Sequence, residues 1–275
     1  AGPDRKLISA DYEQLEPTIF AHVSGDAALQ AIFNQGLDFY SEIAIRTERL
    51  KDVSSDKKSP IYLGLVNKSK RQTAKAYALG IPYGLTGYKL QFELGITQEE
   101  GDKLVNDYLN AFPNLKRWIN ESQDKIKYDG YIKSQGGRVR HMPQAVHIFK
   151  KYGQLICDSL SLWQHYHKTP DIYTKVKEDY KTFKNLSNNA VNFQIQSLAA
   201  SIMNKSMINI NRRLKTEQLD AAIVCNVHDE IVLDCAVKDV EAVCSLVKHE
   251  MENIVKLSVP LRTMPQIGDN YRECK

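Results

Sequence analysis

The sequence predicts an α+β fold, with an antiparallel sheet and long helices, and three observations carry that prediction. Val224 to Asp234 alternates apolar and polar residues around a polar turn, the pattern of a β-hairpin. Ile223, Cys225 and Val227 share one face of its first strand, and Ile231 and Leu233 lie on the matching face of the second. Leu7 to Ala10 is a short, mostly apolar run, as expected of a strand buried on both faces. Antiparallel strands mixed with helix-period runs argue for α+β and against a doubly wound sheet.

Taken in order, residues 1–10 form a lead-in and that first strand. Pro17 suits a first helical turn, and Leu15 to Phe33 has helical apolar spacing, broken around Ser24-Gly25-Asp26, where Asp26 caps the next helix. Leu37 to Leu50 predicts another helix after Gly36, and Asp52 to Pro60 an exposed polar loop. A helix from Leu65 to about Leu79 is stopped by Gly80 and Pro82. Leu90 to Leu94 begins a further helical region. Thr97-Gln98-Glu99-Glu100 is a capping box for a helix to about Phe112, and Pro113 starts one that carries Trp118 to near Gly130. Gly130 to Met142 predicts a second hairpin, turning at Gly136-Gly137. Gln144 to Lys184 is helical in composition and dense in Tyr, His, Trp and Lys. Asn188 to Leu214 is a long helix with Ile195, Leu198, Ala199, Ile202, Met203 and Met207 as its apolar stripe. Val237 to Lys256 predicts an amphipathic helix and Leu257 to Pro265 a closing strand.

A chain of 275 residues buries a core for one large domain or two intimate ones. Its formal net charge of +4 is mild, so phosphate binding must rest on local patches. One such patch lies between Arg46 and Lys75, where nine Lys or Arg face three acidic residues. Five cysteines, odd in number and without paired spacing, argue against a disulfide framework or zinc site and fit a reducing compartment. No run is long and apolar enough to cross a membrane, and no signal peptide is visible. The first residue is Ala1 rather than Met, which leaves the natural start open.

Three groups of residues suggest chemistry. His228, Asp229 and Glu230 crowd the hairpin tip, where water and ligands reach them. Such residues are either good turn formers or holders of a hard cation. Asp11 ends the first strand where a helix begins, and two aspartates at two strand ends can share a pair of magnesium ions. Arg71, Lys75 and Leu79 are four apart, drifting about 40° per step along one helix face, and Tyr83 continues the row. That row is either a solvated basic face or a grip for a triphosphate, with an apolar cover for sugar and base and a ring to stack on a further base. Asn192 and Gln196, one turn apart, are either solvated amides or donors to minor-groove base edges.

Asp11-Tyr12-x-Gln14-x-Glu16, Arg71-x-x-x-Lys75-x-x-x-Leu79-Gly80-x-x-Tyr83-Gly84 and Val227-His228-Asp229-Glu230, in that order, resemble motifs A, B and C of the family A DNA polymerases, the relatives of bacterial DNA polymerase I, many phage replicases among them. Gly130-Tyr131-Ile132, Gly137-Arg138, Asn192-x-x-x-Gln196 and Val259-Pro260-Leu261 extend the likeness over nearly the whole chain, except the stretch near 144–184. That stretch reads most simply as a decorative insertion, with an extra DNA-contacting surface or a docking site as alternatives.

The resemblance implies a palm at 1–35 and 129–275, helical fingers at 36–128, and no thumb or exonuclease domain in the chain. It implies template-directed transfer of dNTPs to a primer 3′-hydroxyl, with two Mg2+ ions on Asp11, Asp229 and the Tyr12 carbonyl. Gln14, Glu16, Tyr40, Arg71, Lys75 and Leu79 would meet the nucleotide, Glu16 as a gate against the ribose 2′-oxygen and Lys75 also as proton donor to the leaving group. Tyr83, Gly84, Arg138, Asn192, Gln196, His228 and Glu230 would meet primer–template DNA. The expected partners are DNA, dNTPs and a thumb or exonuclease segment supplied upstream or as a separate subunit, in the cytoplasm of a bacterium or a phage-infected host. Four positions depart from the family pattern: Leu79 where most relatives have an aromatic ring, Tyr40 where many have His, Leu15-Glu16-Pro17-Thr18 without the Arg that often follows, and Asn226 for Gln. They bear on nucleotide affinity and sugar discrimination. The alternative reading is a non-catalytic nucleic-acid-binding remnant, or one subunit of a split polymerase that is inactive alone.

Overall fold

The computed structural model describes residues 2–167 and 170–274. In chain order the elements are β1 (Arg5–Asp11), α1 (Leu15–Ser24), α2 (Ala27–Asn34), α3 (Phe39–Glu48), α4 (Leu63–Val66), α5 (Lys68–Gly80), α6 (Gly87–Leu94), α7 (Gln98–Ala111) and α8 (Pro113–Tyr128). There follow β2 (Tyr131–Lys133), β3 (Val139–His141), α9 (Pro143–Tyr152), α10 (Ser159–Tyr166), α11 (Pro170–Thr216), β4 (Ala221–Val227), β5 (Glu230–Ala236), α12 (Val240–Asn253) and β6 (Gln266–Gly268). The chain forms two compact units, residues 1–22 with 196–275, and residues 23–195. These borders follow packing and differ from the motif-based division into palm and fingers.

The first unit holds a four-stranded antiparallel sheet in the order β4-β5-β1-β6. Ile8, Ser9 and Ala10 of β1 are buried between two neighbours, as the apolar run predicts. β5 is buried along almost its whole length, and α12 packs on β1 and β5 through Val243, Leu246, Val247 and Met251. β4 departs from the predicted alternation. It is an edge strand, and its register shifts between Ile223 and Cys225; the extra residue of a bulge breaks the period of two. Cys225 and Val227 are exposed instead of facing a core, as are Val224 and Asn226 on the other face, because nothing covers this end of the edge strand among the described residues. The closing strand is also displaced. Leu257 to Pro265 contains only a bridge from Thr263 to Tyr12, and the strand proper is β6. Pro260 and Pro265 lack the N–H that a ladder requires, which moves regular pairing beyond them.

In the second unit the caps behave as their chemistry dictates. Asp26 ends the break after α1, and its Oδ1 accepts from the backbone N–H groups of Ala28 and Leu29 at the start of α2. Its Oδ2 accepts from the N–H groups of Asn114 and Leu115 in the first turn of α8. One buried carboxylate thus serves two helix N-termini, where partial positive charge favours an anion. Thr97 and Glu100 make the reciprocal bonds of a capping box on α7. The helix expected from Leu65 to Leu79 is split: α4 ends at Val66, and the Asn67 side chain accepts from Lys70 N to cap α5. The hairpin predicted at 130–142 is β2 and β3.

The stretch at 144–184, of which residues 168 and 169 lie outside the described residues, is part of a core. Ala145, Ile148, Tyr152, Ile156, Leu162, Val176 and Phe183 are buried together with Ile126 of α8, Ile132 of β2 and Ala190. The long helix expected from Asn188 begins at Pro170, so the stretch continues directly into it.

Candidate functional site

The first unit brings Asp11 and Asp229 to neighbouring strand ends. In the β1–β5 register Asp11 pairs with Glu230, and the Tyr12 N–H donates to the Asp229 carbonyl at 3.2 Å. Asp11 is exposed and Asp229 half-buried. Thr263 Oγ1 donates to the Asp11 carbonyl at 2.7 Å, and Asn226 Nδ2 to the Glu230 carbonyl at 2.9 Å, so both strand ends are held by side chains. His228 takes a left-handed conformation at the tip (φ 56°), which tightens the turn. The Tyr12 side chain is an anchor: its hydroxyl lies 2.8 Å from Ser206 Oγ and donates to the Met251 carbonyl at 2.8 Å. Burial pushes its phenol well above the ordinary value, although Ser206 acts the other way.

Glu230 does not share the accessible tip expected for it. Only 3 % of it is exposed; Ser9 Oγ and Tyr271 Oη donate to its carboxylate, the latter at 2.6 Å. Glu230 is the first residue of β5, paired with Asp11 on one side and Val227 on the other, whereas Asp229 belongs to the turn outside the ladder. Gln14 is also left-handed (φ 55°), and its carbonyl accepts from Thr18 as α1 begins. Glu16 lies half-buried in the first turn of that helix.

Two carboxylates at adjacent strand ends suit a hard divalent cation, and no group of three His, Cys, Asp or Glu ligands occurs among the described residues. That donor set fits magnesium, which keeps several waters and binds through one or two carboxylates together with substrate phosphates.

In the second unit α3 and α5 bring Tyr40, Arg71 and Lys75 together. The Arg71 guanidinium carbon lies 5.4 Å and the Lys75 ammonium 5.9 Å from the centre of the Tyr40 ring. Arg71 Nε and Nη2 each donate to the Asp38 carboxylate at 2.8 Å, a bidentate fork. Asp38 caps α3, accepting from the Ser41 N–H and hydroxyl, and its side chain is fully buried. Burial raises the Asp38 carboxyl, but the bonds from Arg71 and Ser41 outweigh it and hold the group below the usual carboxylate range. The same fork raises Arg71 beyond its already high value. Sequence reasoning missed Asp38; its signal was a lone Asp at a helix start, two residues before Tyr40. Lys75 is exposed and Leu79 half-buried on the same helix.

Beyond α5, Tyr83 and Gly84 are half-buried. Gly84 has φ +91°, and a Cβ there would stand 2.4 Å from the Asn188 side-chain amide of α11. Asn192, one turn further along α11, has a buried Oδ1 without a hydrogen-bond partner among the described residues. Arg138 is exposed beside β3, and Gln196 is exposed on α11 in the first unit.

The model of DNA polymerase family A matches residues 1–273. The DNA polymerase I of Bacillus caldotenax is 29 % identical over 272 residues, covering 99 % of this chain and 26 % of that protein. The thermostable DNA polymerase I of Thermus filiformis is 29 % identical over 269 residues, covering 98 % and 27 %. The chain therefore spans about a quarter of the length of these curated relatives. A solved structure, the POL domain of Pol1 from M. smegmatis in complex with DNA primer-template and dNTP, superposes with a TM-score of 0.79 at 26 % identity over 99 % of this chain and 41 % of that one. Sheet, helices and motif order agree with a match over nearly every residue: the chain belongs to DNA polymerase family A.

Proposed function

We propose that the chain carries the nucleotidyl-transfer centre of a DNA-directed DNA polymerase, extending a primer 3′-hydroxyl with dNTPs on a DNA template. The observation that carries this reading is the tie between β1 and the β4–β5 turn, which sets Asp11 and Asp229 at adjacent strand ends. Asp11, Asp229 and the Tyr12 carbonyl would hold two Mg2+ ions. Such ions lower the pKa of the attacking hydroxyl and neutralise charge on the triphosphate. Arg71, its plane set by Asp38, binds the outer phosphates, and exposed Lys75 donates a proton to the departing pyrophosphate. Glu16 excludes the 2′-hydroxyl, and Leu79 covers the sugar with Gln14 and Tyr40 close to the nucleotide. Tyr83, Gly84, Arg138, Asn192, Gln196 and His228 contact DNA. Glu230, being buried, acts on DNA through the position of its strand.

In this reading 1–35 and 129–275 serve as palm and 36–128 as fingers, in a compartment that holds DNA such as a bacterial or phage-infected cytoplasm. The test is primer extension by Asp11→Asn and Asp229→Asn. Each loses nucleotide incorporation while keeping its melting temperature, because a neutral amide cannot replace a charge at a dinuclear magnesium site. Near-normal single-turnover incorporation by either variant removes the assignment.

A further inference from the structure

We propose that the cleft between the end of α8, the β2–β3 hairpin and α9 binds single-stranded DNA, with a phosphate on Lys150 and His147 and a base against Tyr128. The cleft has a volume of about 630 Å³ and is lined by Tyr128, Asp129, His141, Val146, His147 and Lys150. It lies wholly within the second unit. The choice of DNA as ligand rests on the polymerase reading; the existence of an anion-binding cleft does not.

Charge is the first argument. Residues 125–151 contain seven Lys or Arg (Lys125, Lys127, Lys133, Arg138, Arg140, Lys150, Lys151) against one acidic residue, Asp129. Lys127 is taken by Asp124 and Lys151 by Asp179. The other five make no carboxylate ion pair among the described residues, and Lys125, Lys133, Arg138, Arg140 and Lys150 are all exposed. Of these, Lys150 lines the cleft itself, and the others stand on the elements that form it, α8 and the β2–β3 hairpin. A cleft set among such elements attracts a polyanion.

The aromatic rings narrow the ligand. Tyr128 is 66 % exposed, braced edge-on by Phe149 at 5.4 Å between ring centres. Tyr131 is 37 % exposed and lies 6.2 Å from the His141 ring, with the Lys125 ammonium 5.9 Å from its centre. Held rings beside cations offer base stacking together with backbone attraction, the combination that binds single strands. In a duplex the base faces are already stacked and cannot use Tyr128. A folded protein partner would need more apolar area than Val146 and Pro143 provide.

The experiment is fluorescence anisotropy of a labelled oligothymidine with this chain in EDTA, over a series of salt concentrations. The variants are Tyr128→Ala, the pair His147→Ala with Lys150→Glu, and Asp129→Asn. All four side chains are exposed, and melting temperatures check folding. The expected result is binding weakened about fivefold by Tyr128→Ala. The paired variant weakens it further and makes the salt slope shallower by about 0.7 for each phosphate that is no longer neutralised. Asp129→Asn tightens it. Asp11→Asn serves as comparison: lost incorporation with retained oligothymidine binding shows the two sites to be separable. Unchanged affinity and salt slope in the Tyr128 and paired variants, or no binding by the parent chain, overturns the proposal whatever the incorporation assay gives. Equal competition by heparin together with no effect of Tyr128→Ala marks a general anion surface and equally overturns the single-strand assignment.

Discussion

Asp38 sits at the junction of charge, capping and position. Its carboxylate is fully buried, yet it is satisfied by two bonds from Arg71 and two from Ser41. Asp38→Asn leaves the Arg71 guanidinium without its counter-charge and should cost about 3 kcal/mol, the low end for breaking a buried pair since Arg71 is 24 % exposed. Urea unfolding measures this. The carboxyl is depressed in the folded chain, so its stabilisation is complete above the unfolded value of about 4 and is lost as pH falls through the lower folded value. Asp38→Asn should flatten that acid limb; an unchanged profile would place the titration elsewhere. Glu16 tests the nucleotide reading at the same scale. Glu16→Ala should raise the ratio of kcat/KM for ribonucleotides to that for deoxyribonucleotides. A constant ratio means that the gate is another group.

At the scale of elements, the turn after α5 depends on Gly84. Its φ of +91° disfavours any side chain, and a Cβ would also meet Asn188. Gly84→Ala should destabilise by about 1–3 kcal/mol, read as a lower urea midpoint. Adding Asn188→Ala should relieve the clash and recover part of the loss, leaving the backbone strain. Full recovery would show that the left-handed conformation itself costs little there. The hairpin illustrates the limit of periodicity: the tip was legible in the sequence, but the bulge after Ile223 was not. A single inserted residue changes no composition signal and yet breaks the period of two on which the strand was read.

At the scale of the molecule, the chain spans 26 % of the B. caldotenax relative and 41 % of the solved POL domain. Duplex affinity rises with the number of phosphates a protein neutralises. We therefore expect the chain alone to bind primer–template weakly, and a relative's upstream region, added as a separate polypeptide, to increase binding and extension. Tight duplex binding with multi-nucleotide extension by the chain alone sinks this prediction, and the α8–α9 cleft becomes the first place to look for the grip.

Local chemistry was enough for what the sequence determined. Asp26, Thr97 and Pro113 begin helices because each meets backbone N–H groups within a few residues or, for the proline, has none to leave unpaired. The spacing of Arg71, Lys75 and Leu79 places them on one helix by the same local logic, and motif order was sufficient to indicate the family. Tertiary structure alone decided the rest. Glu230 is withdrawn from the tip by Ser9, 221 residues earlier, and Arg71 is oriented by Asp38, 33 residues earlier. The stretch at 144–184 became core because Ile126 and Ile132 offered apolar surface to cover. Pairings of this range depend on strand register and on which faces remain uncovered after local elements form, and neither is encoded in any single window of residues.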